Sequence, residues 1–311
     1  MRADVCDSGA MAEHGPCANG PPGAADLRTA AGLLALRALP GVGDQRAIRL
    51  AAVFGTAEAF NAASPQERRS AAGIAADQQV RIVPVDDDGS VRLLGYFDAG
   101  YPAALRDIED PPAVLWARGS LPDPARRIAV VGTRAATAWG VRTAEGIAAA
   151  AAHTGVSVVS GLALGIDIAA HRAVLRAEGH TTAVLGSGID RIFPEEHRAD
   201  AERILEAGGC LLSEQVPGTP ASTRSLLARD RLQSGLCPAT VLVQCGPASG
   251  AMATARFTVE QGRILAIPAV PDGPERREEE NAGSLALLAG HPAPRMLSSG
   301  RDLADLLDAI S

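Results

Sequence analysis

Ile128-Ala129-Val130-Val131-Gly132-Thr133-Arg134 and Val156-Ser157-Val158-Val159-Ser160-Gly161 are short apolar runs that each stop at a glycine, and an alanine-rich helical stretch over 138–153 separates them. A strand buried on both faces reads as such a run, and parallel neighbours need a long, usually helical, crossover. The rhythm returns at 181–186, 210–213, 240–244 and 264–268, with helical stretches over 165–178, 195–208, 223–236 and 250–262. Six strands in this pattern predict an α/β protein with a doubly wound parallel sheet. Ligands of such sheets sit beyond the carboxyl ends of the strands, and the glycine clusters fall there.

Upstream, residues 1–28 are rich in Gly, Pro and Ala without periodicity and read as a disordered leader. Helical patterning begins near Leu27, breaks at Leu39-Pro40-Gly41-Val42-Gly43 and resumes at Asp44. That is the spacing of a helix-hairpin-helix, whose glycines leave N–H groups free for a phosphate. A small packing module with Arg46 and Arg49 solvated is the favoured alternative. A third helix is expected over 65–75 and a polar turn at Asp86-Asp87-Asp88-Gly89. The prolines of Tyr101-Pro102 and Asp110-Pro111-Pro112 mark a connection that ends in a short strand over 113–118. The expected division is a leader (1–28), a helical domain (29–92), a connecting segment (93–121), a sheet domain (122–292) and a short C-terminal helix (293–311). The charged run 275–280 reads as solvated loop.

Composition excludes several chemistries. A chain of 311 residues with 47% hydrophobic and 21% charged content packs a core. All 29 basic residues are Arg, so neither a Schiff-base lysine nor the lysine of a phosphate-binding P-loop is available. The net charge of −7 argues against general coating of nucleic acid, yet 14 Arg face 12 Asp plus Glu between residues 125 and 270. The sheet domain is therefore the expected anion binder. Aromatics make up 3%, so a stacking platform would be sparse. Cys6, Cys17, Cys210, Cys237 and Cys245 form no CxxC pair and read as small buried hydrophobes rather than metal ligands. With no apolar stretch of membrane-spanning length and no signal-like start, a cytoplasmic protein away from membranes is expected.

The candidate site residues sit at the strand ends. Gly132, Thr133 and Arg134 form a turn whose N–H groups and guanidinium suit an anion, without the G-x-G-x-x-G arrangement of a dinucleotide site. Ser160, Gly161 and Gly165 form the next turn, with Asp167 and His171 four apart on one helix face. That pair reads foremost as a structural link pinning loop to helix, with catalysis and metal binding as alternatives. Gly186-Ser187-Gly188-Ile189-Asp190 and Phe193-Pro194 make either another wall of the crevice or a plain turn. Arg224 and Arg231 share a face of the helix over 223–236, and Arg229 lies on another. Two of the three can line one groove with Arg134. Ser249 and Gly250 form a last N–H-rich turn, followed by Thr254.

In this order the segments resemble the DNA-processing protein A (DprA/Smf) family. The resemblance is carried by Tyr101-Pro102, Asp110-Pro111-Pro112, Val131-Gly132-Thr133-Arg134, Ser160-Gly161-Leu162-Ala163-Leu164-Gly165-Ile166-Asp167 with His171, Leu212-Ser213-Glu214, Arg229-x-Arg231, Ser249-Gly250 with Thr254-Ala255, and Gly262-Arg263 with Ile267-Pro268. It implies a helical module of helix-hairpin-helix or sterile-alpha-motif type before an extended Rossmann-like domain. It further implies a homodimer without enzymatic turnover or cofactor that binds single-stranded DNA, protects it in transformation and hands it to RecA recombinase. Gly132, Thr133, Arg134, Ser160, Gly161, Gly165, Arg224, Arg229, Arg231, Ser249, Gly250 and Thr254 are the expected DNA contacts.

The chain departs from the family pattern in places. Leu226-Leu227-Ala228-Arg229-Asp230-Arg231 stands for the usual Phe-Pro-x-Arg-Asn-Arg, so a ring is lost at Leu226 and a carboxylate replaces an amide at Asp230. His197 replaces a usual Asn and Ala269 a usual Gly. A winged helix carried by many members is expected to be absent. The alternative is a nucleotide-binding protein resembling the lysine-decarboxylase-like phosphoribohydrolases, with Ser249-Gly250-Ala251, Thr254 and Glu260 approximating their loop and catalytic acid.

Overall fold

The short apolar runs build the centre of the molecule because successive side chains of a strand leave opposite faces of the sheet, and here both faces are covered. The computed structural model describes residues 25–73, 78–83, 89–121, 126–290 and 293–310. Residues 1–24 of the expected leader, with Cys6 and Cys17, and Asp86-Asp87-Asp88 of the expected turn lie outside them.

In chain order the elements are α1 (Ala30–Arg37), α2 (Asp44–Phe54), α3 (Ala57–Ala62), α4 (Pro65–Ala72), β1 (Arg92–Gly95), α5 (Ala103–Arg106), β2 (Val114–Gly119), β3 (Arg127–Val131), α6 (Ala138–His153), β4 (Ser157–Ser160), α7 (Ile166–Arg176) and β5 (Thr181–Leu185). A 3-10 turn, Glu195–His197, leads into α8 (Arg198–Glu206), and a second, Pro274–Arg277, lies between β8 and α11. Then come β6 (Cys210–Ser213), α9 (Thr223–Gly235), β7 (Ala239–Leu242), α10 (Ala251–Glu260), β8 (Ile264–Pro268), α11 (Glu279–Leu288), β9 (Arg295–Leu297) and α12 (Gly300–Ala309).

Among the described residues nine strands form one sheet in the order β1-β2-β6-β5-β4-β3-β7-β8-β9. The seven strands from β6 to β9 are parallel, and β1 and β2 extend the β6 edge antiparallel. The six expected strands are thus the middle of a larger sheet. The segment 93–121 carries the expected short strand as β2 and most of β1 besides, and 293–311 adds β9 before its helix. Among the described residues no helix is long and apolar enough to cross a membrane.

Ile128 and Val130 pack with α6, α7 and the α12 leucines Leu306 and Leu307 on one face. Ala129, Val159 and Leu212 pack with Leu232 of α9 and Leu105 of α5 on the other. Alanine-rich α6 is a strong helix former, and its N-cap Thr137 accepts from the Gly140 N–H. Cys210, Cys237 and Cys245 are free and buried, as expected.

The helical module does not hang free of the sheet. Leu33, Leu36, Leu50 and Phe60 share one buried cluster with Val114, Trp116 and Leu211. Gly95 of β1 lies so close to α1 that a Cβ would stand 2.9 Å from the Ala30 nitrogen. Leu27, at the end of the expected leader, is fully buried, and Asp26 bridges to Thr56. The order of the chain therefore reaches back at least to residue 25.

In the α1–α2 hairpin, Asp44 accepts from the Ala113 N–H at 2.9 Å and Gln45 donates to the Glu109 carbonyl at 2.7 Å. Arg46 donates to the Gly41 carbonyl. These bonds dock the turn onto the 109–113 segment, the arrangement of a packing module. Leu36→Ala should remove about 2–5 kcal/mol of stability. Because its cluster spans both regions, calorimetry should show a single transition at lower temperature and not the early loss of a separate helical unit.

Candidate nucleic-acid interface

Strand order reverses between β3 and β7, where α6 leaves toward one face of the sheet and α10 toward the other. That is the place where a crevice opens in a doubly wound sheet. A cavity of about 370 Å³ lies there, walled by the β3–α6 turn, the β4–α7 turn, one face of α9 and the start of α10.

The β3–α6 turn is fixed from the end of β7. Gln244 accepts the Thr133 N–H on its carbonyl at 2.7 Å and the Thr137 N–H on its side chain at 3.0 Å. A Cβ on Gly132 would lie 2.5 Å from Ile166 and one on Gly165, at φ +76, 2.3 Å from the Thr133 carbonyl. The two turns are pressed together, and Arg134 is left exposed at the tip facing Ser249, Gly250 and Thr254 across the cavity. The start of α10 borders the same space, its Ala251 N–H on Ser249 Oγ at 3.3 Å and its Met252 and Ala253 N–H groups on the Ser249 and Gly250 carbonyls, so it brings the positive end of the helix dipole toward an anion. Sequence reasoning passed over Gln244, although a polar residue closing a buried strand was the available signal.

The β4–α7 turn is held from three sides. The Gly161 N–H donates to Asp167 at 3.1 Å. Leu162 takes a positive φ of 58, unusual for a branched side chain, while its N–H donates to His171 Nε2 at 3.3 Å. His171 Nδ1 meets the Thr181 hydroxyl, which itself donates to the Val158 carbonyl, so the network assigns the His171 proton to Nδ1. Burial, aided by the Arg229 charge, holds His171 down at about 3, which keeps it neutral. His197 Nδ1 donates to the Leu162 carbonyl at 2.8 Å. Asp167 and His171 thus hold the loop, and among the described residues no cluster of three metal-type ligands forms. Ser160 is fully buried and donates to the Val130 carbonyl, so its hydroxyl serves the sheet and does not reach the cavity.

On α9 the structure divides the arginines differently from the sequence reading. Arg229, Asp230 and Gln233 line the cavity with Leu226 and Leu227. Arg231 is on the opposite side: Glu214 takes it in a bidentate pair at 2.8 and 2.6 Å, and the Asp110 carbonyl accepts from its Nε. Burial opposes that charge, and the Glu214 hydrogen bonds more than restore it. Arg231 is therefore removed from the groove, because helix phase alone did not say which face looked outward. Arg224 is exposed beside the wall and does not line the cavity. Glu260 sits at the far end of α10, paired with Arg256 and facing Asp107 and Asp110, so the expected phosphoribohydrolase grouping is not assembled.

Arg229 lies 4.0 Å from Asp167 and 3.4 Å from Asp230. A Cβ on Gly161 would fall 1.4 Å from its Nη1, so only glycine leaves room for the guanidinium. Its Nε and Nη1 are buried without a hydrogen-bond partner, as is Nε2 of Gln233. Burial raises Asp167 against the pull of Arg229 and pushes Asp230 up to about 7. A second small hollow adjoins, lined by Arg134, Leu164, Arg229 and Phe193, whose ring is 48% exposed.

The model of the family described as DNA recombination-mediator protein A matches residues 92–307. The chain belongs to this family. It is 44% identical over 193 residues to the putative DNA processing protein DprA of Mycobacterium tuberculosis, a match covering 61% of this chain and 49% of that one. The chain thus spans about half the length of the curated relatives it matches. The X-ray structure of DNA processing protein A from Streptococcus pneumoniae superposes with a TM-score of 0.73 at 25% identity, covering 89% of this chain and 97% of that one. DNA processing protein A from Helicobacter pylori, solved for its single-stranded DNA binding mode, gives a TM-score of 0.60 at 24% identity over 71% and 95% of the two chains.

Two outcomes test this family member's site. An acid raised by burial binds protons in the folded state that it gives up in the unfolded state, so its stability contribution is present below its unfolded value and is lost as pH rises through about 7. The gain in melting temperature from Asp230→Asn should therefore grow with pH, being larger at pH 8 than at pH 5 by roughly 2–4 °C. Gly161→Ala must evict the Arg229 guanidinium, and chemical denaturation should register a loss of ~2 kcal/mol or more.

Proposed function

We propose that this protein is a single-stranded-DNA-binding recombination mediator whose strand runs along the rim of the β3/β7 crevice. The observation that carries the reading is the facing of exposed Arg134 and the α10 amino terminus across one open cavity at the topological switch point. A phosphodiester fits between them: the guanidinium donates a charged fork, and the helix end adds the positive pole of its dipole. The turn that presents Arg134 is clamped by Gln244 and so needs little ordering on binding. Phe193 and the exposed Leu164 and Leu227 beside the mouth offer apolar faces on which bases stack, in place of the ring missing at Leu226.

The match to a family described as a recombination mediator and the fold shared with a protein that binds single-stranded DNA support this reading. In it, Gly132, Thr133, Arg134, Gly161, Gly165, Arg229, Ser249, Gly250 and Thr254 form or shape the contact surface. The protein acts without turnover, in the cytoplasm and as a homodimer, protecting incoming DNA and passing it to RecA recombinase.

Phosphate contacts release counterions, so affinity for an oligothymidine should fall steeply with salt. Arg134→Ala should weaken binding about tenfold and lower the slope of log affinity against log salt by about one, with an unchanged melting temperature. Fluorescence anisotropy across a salt series measures both. Equal affinity of wild type and variant would remove Arg134 from the contact surface.

A further inference from the structure

Aromatic side chains are scarce in this chain, and most of them are engaged. Phe54 packs against Phe60, and Tyr96 packs against Phe97 and Tyr101. Arg256 lies over Phe257, and Trp116 is 4% exposed in the core. Phe193 and Trp139 are left. Phe193 shares its hollow with Arg134. Trp139 stands in the first turn of α6, the helix into which the Arg134 turn runs.

Trp139 is half-buried, yet it takes no part in the packing that holds the fold. Among the described residues it belongs to no buried cluster, meets no other ring or guanidinium, and its indole N–H has no acceptor. A lone surface ring would say little, but this one has a cation beside it. Arg142 follows one helical turn later on the same face, exposed and with neither hydrogen bond nor ion pair among the described residues. The nearest acid in sequence, Glu145, is taken by Arg176 at 2.8 Å.

A free ring next to a free cation is the combination that a single strand requires, the ring taking a base and the cation a phosphate. Ala135 and Ala138, exposed beside Trp139, are small, so the apolar surface is one ring wide. That is far short of the roughly 800 Å² that each side of a stable protein interface buries. We propose that the strand leaves the crevice across the start of α6, where Trp139 stacks on a base and Arg142 holds the neighbouring phosphate. The proposal rests on the DNA-binding reading and extends the strand's path outside the cavity, from Phe193 past Arg134 and onto α6.

The test uses the full chain with an oligothymidine and with an abasic oligomer of the same length, which keeps the phosphates and carries no bases. With Trp116 sealed in the core, the thymine oligomer should quench the emission of Trp139. Trp139→Phe should keep most of the affinity and lose the quenching. Trp139→Ala should weaken the thymine oligomer roughly tenfold, with the salt slope, the melting temperature and the affinity for the abasic oligomer unchanged. Arg142→Ala should weaken both oligomers and lower the slope of log affinity against log salt by about one. Equal affinity of wild type and Trp139→Ala for the thymine oligomer overturns the stacking contact and leaves the Arg134 surface intact. Quenching that survives Trp139→Phe, or that the abasic oligomer reproduces in full, does the same. No binding to either oligomer overturns the DNA reading itself. A lower mass of Trp139→Ala than of wild type in light scattering would make this face a contact between copies of the chain and overturn the strand as its occupant.

Discussion

The guanidinium of Arg229 lies over the bare backbone of Gly161, and the rest of the site is arranged around that contact. Three elements far apart in sequence meet there: α9 brings the cation, β4 ends in the only residue type that leaves it room, and α7 brings Asp167. A buried cation is tolerable only beside compensating charge. Asp167 and Asp230 flank it, yet neither makes a hydrogen bond to it, so attraction is supplied without saturating its donors. Each unmatched buried N–H costs ~1–3 kcal/mol. That cost is carried by the cores on both faces of the sheet.

Arg231, two residues along the same helix, shows the contrasting solution. Its fork is filled by both oxygens of Glu214, and its Nε by the Asp110 carbonyl. It joins α9 to the end of β6 and to the segment that leads into β2, so the helix cannot rotate to relieve Arg229. One arginine holds the helix in place and the other is held, incompletely bonded, by that placement. The Arg-x-Arg spacing is what puts the two on opposite sides of a helix with 3.6 residues per turn.

The parallel strands and their helices were legible nearly residue for residue, because runs such as Ile128–Val131 are apolar on both faces and stop at glycine. The edges were not. β1 is four residues long with an exposed arginine at its start, and β9 is three residues long, so neither carries the buried run that identified its neighbours. Leu27 fell where the expected leader overlaps the start of the helical patterning, because the Gly/Pro-rich composition before it masked one buried leucine. In the site, the turns at Gly132 and Gly165 could be read from small residues after strands, and the Asp167–His171 link from its four-residue spacing. Arg231 could not be placed, because its partner Glu214 lies 17 residues away on another element. Gln244 was missed for the same reason, its contact with Thr137 spanning 107 residues.

Asp230 shows how a change that looks adverse in sequence takes a different meaning in place. On a surface, a carboxylate between two arginines weakens a phosphate site. Here one of those arginines is consumed by Glu214, and the other is wedged against Gly161 with two donors buried and unmatched. The carboxylate lies behind the mouth where Arg134 stands, and burial pushes it up to about 7, so it takes less from the positive charge of the rim than an exposed aspartate would.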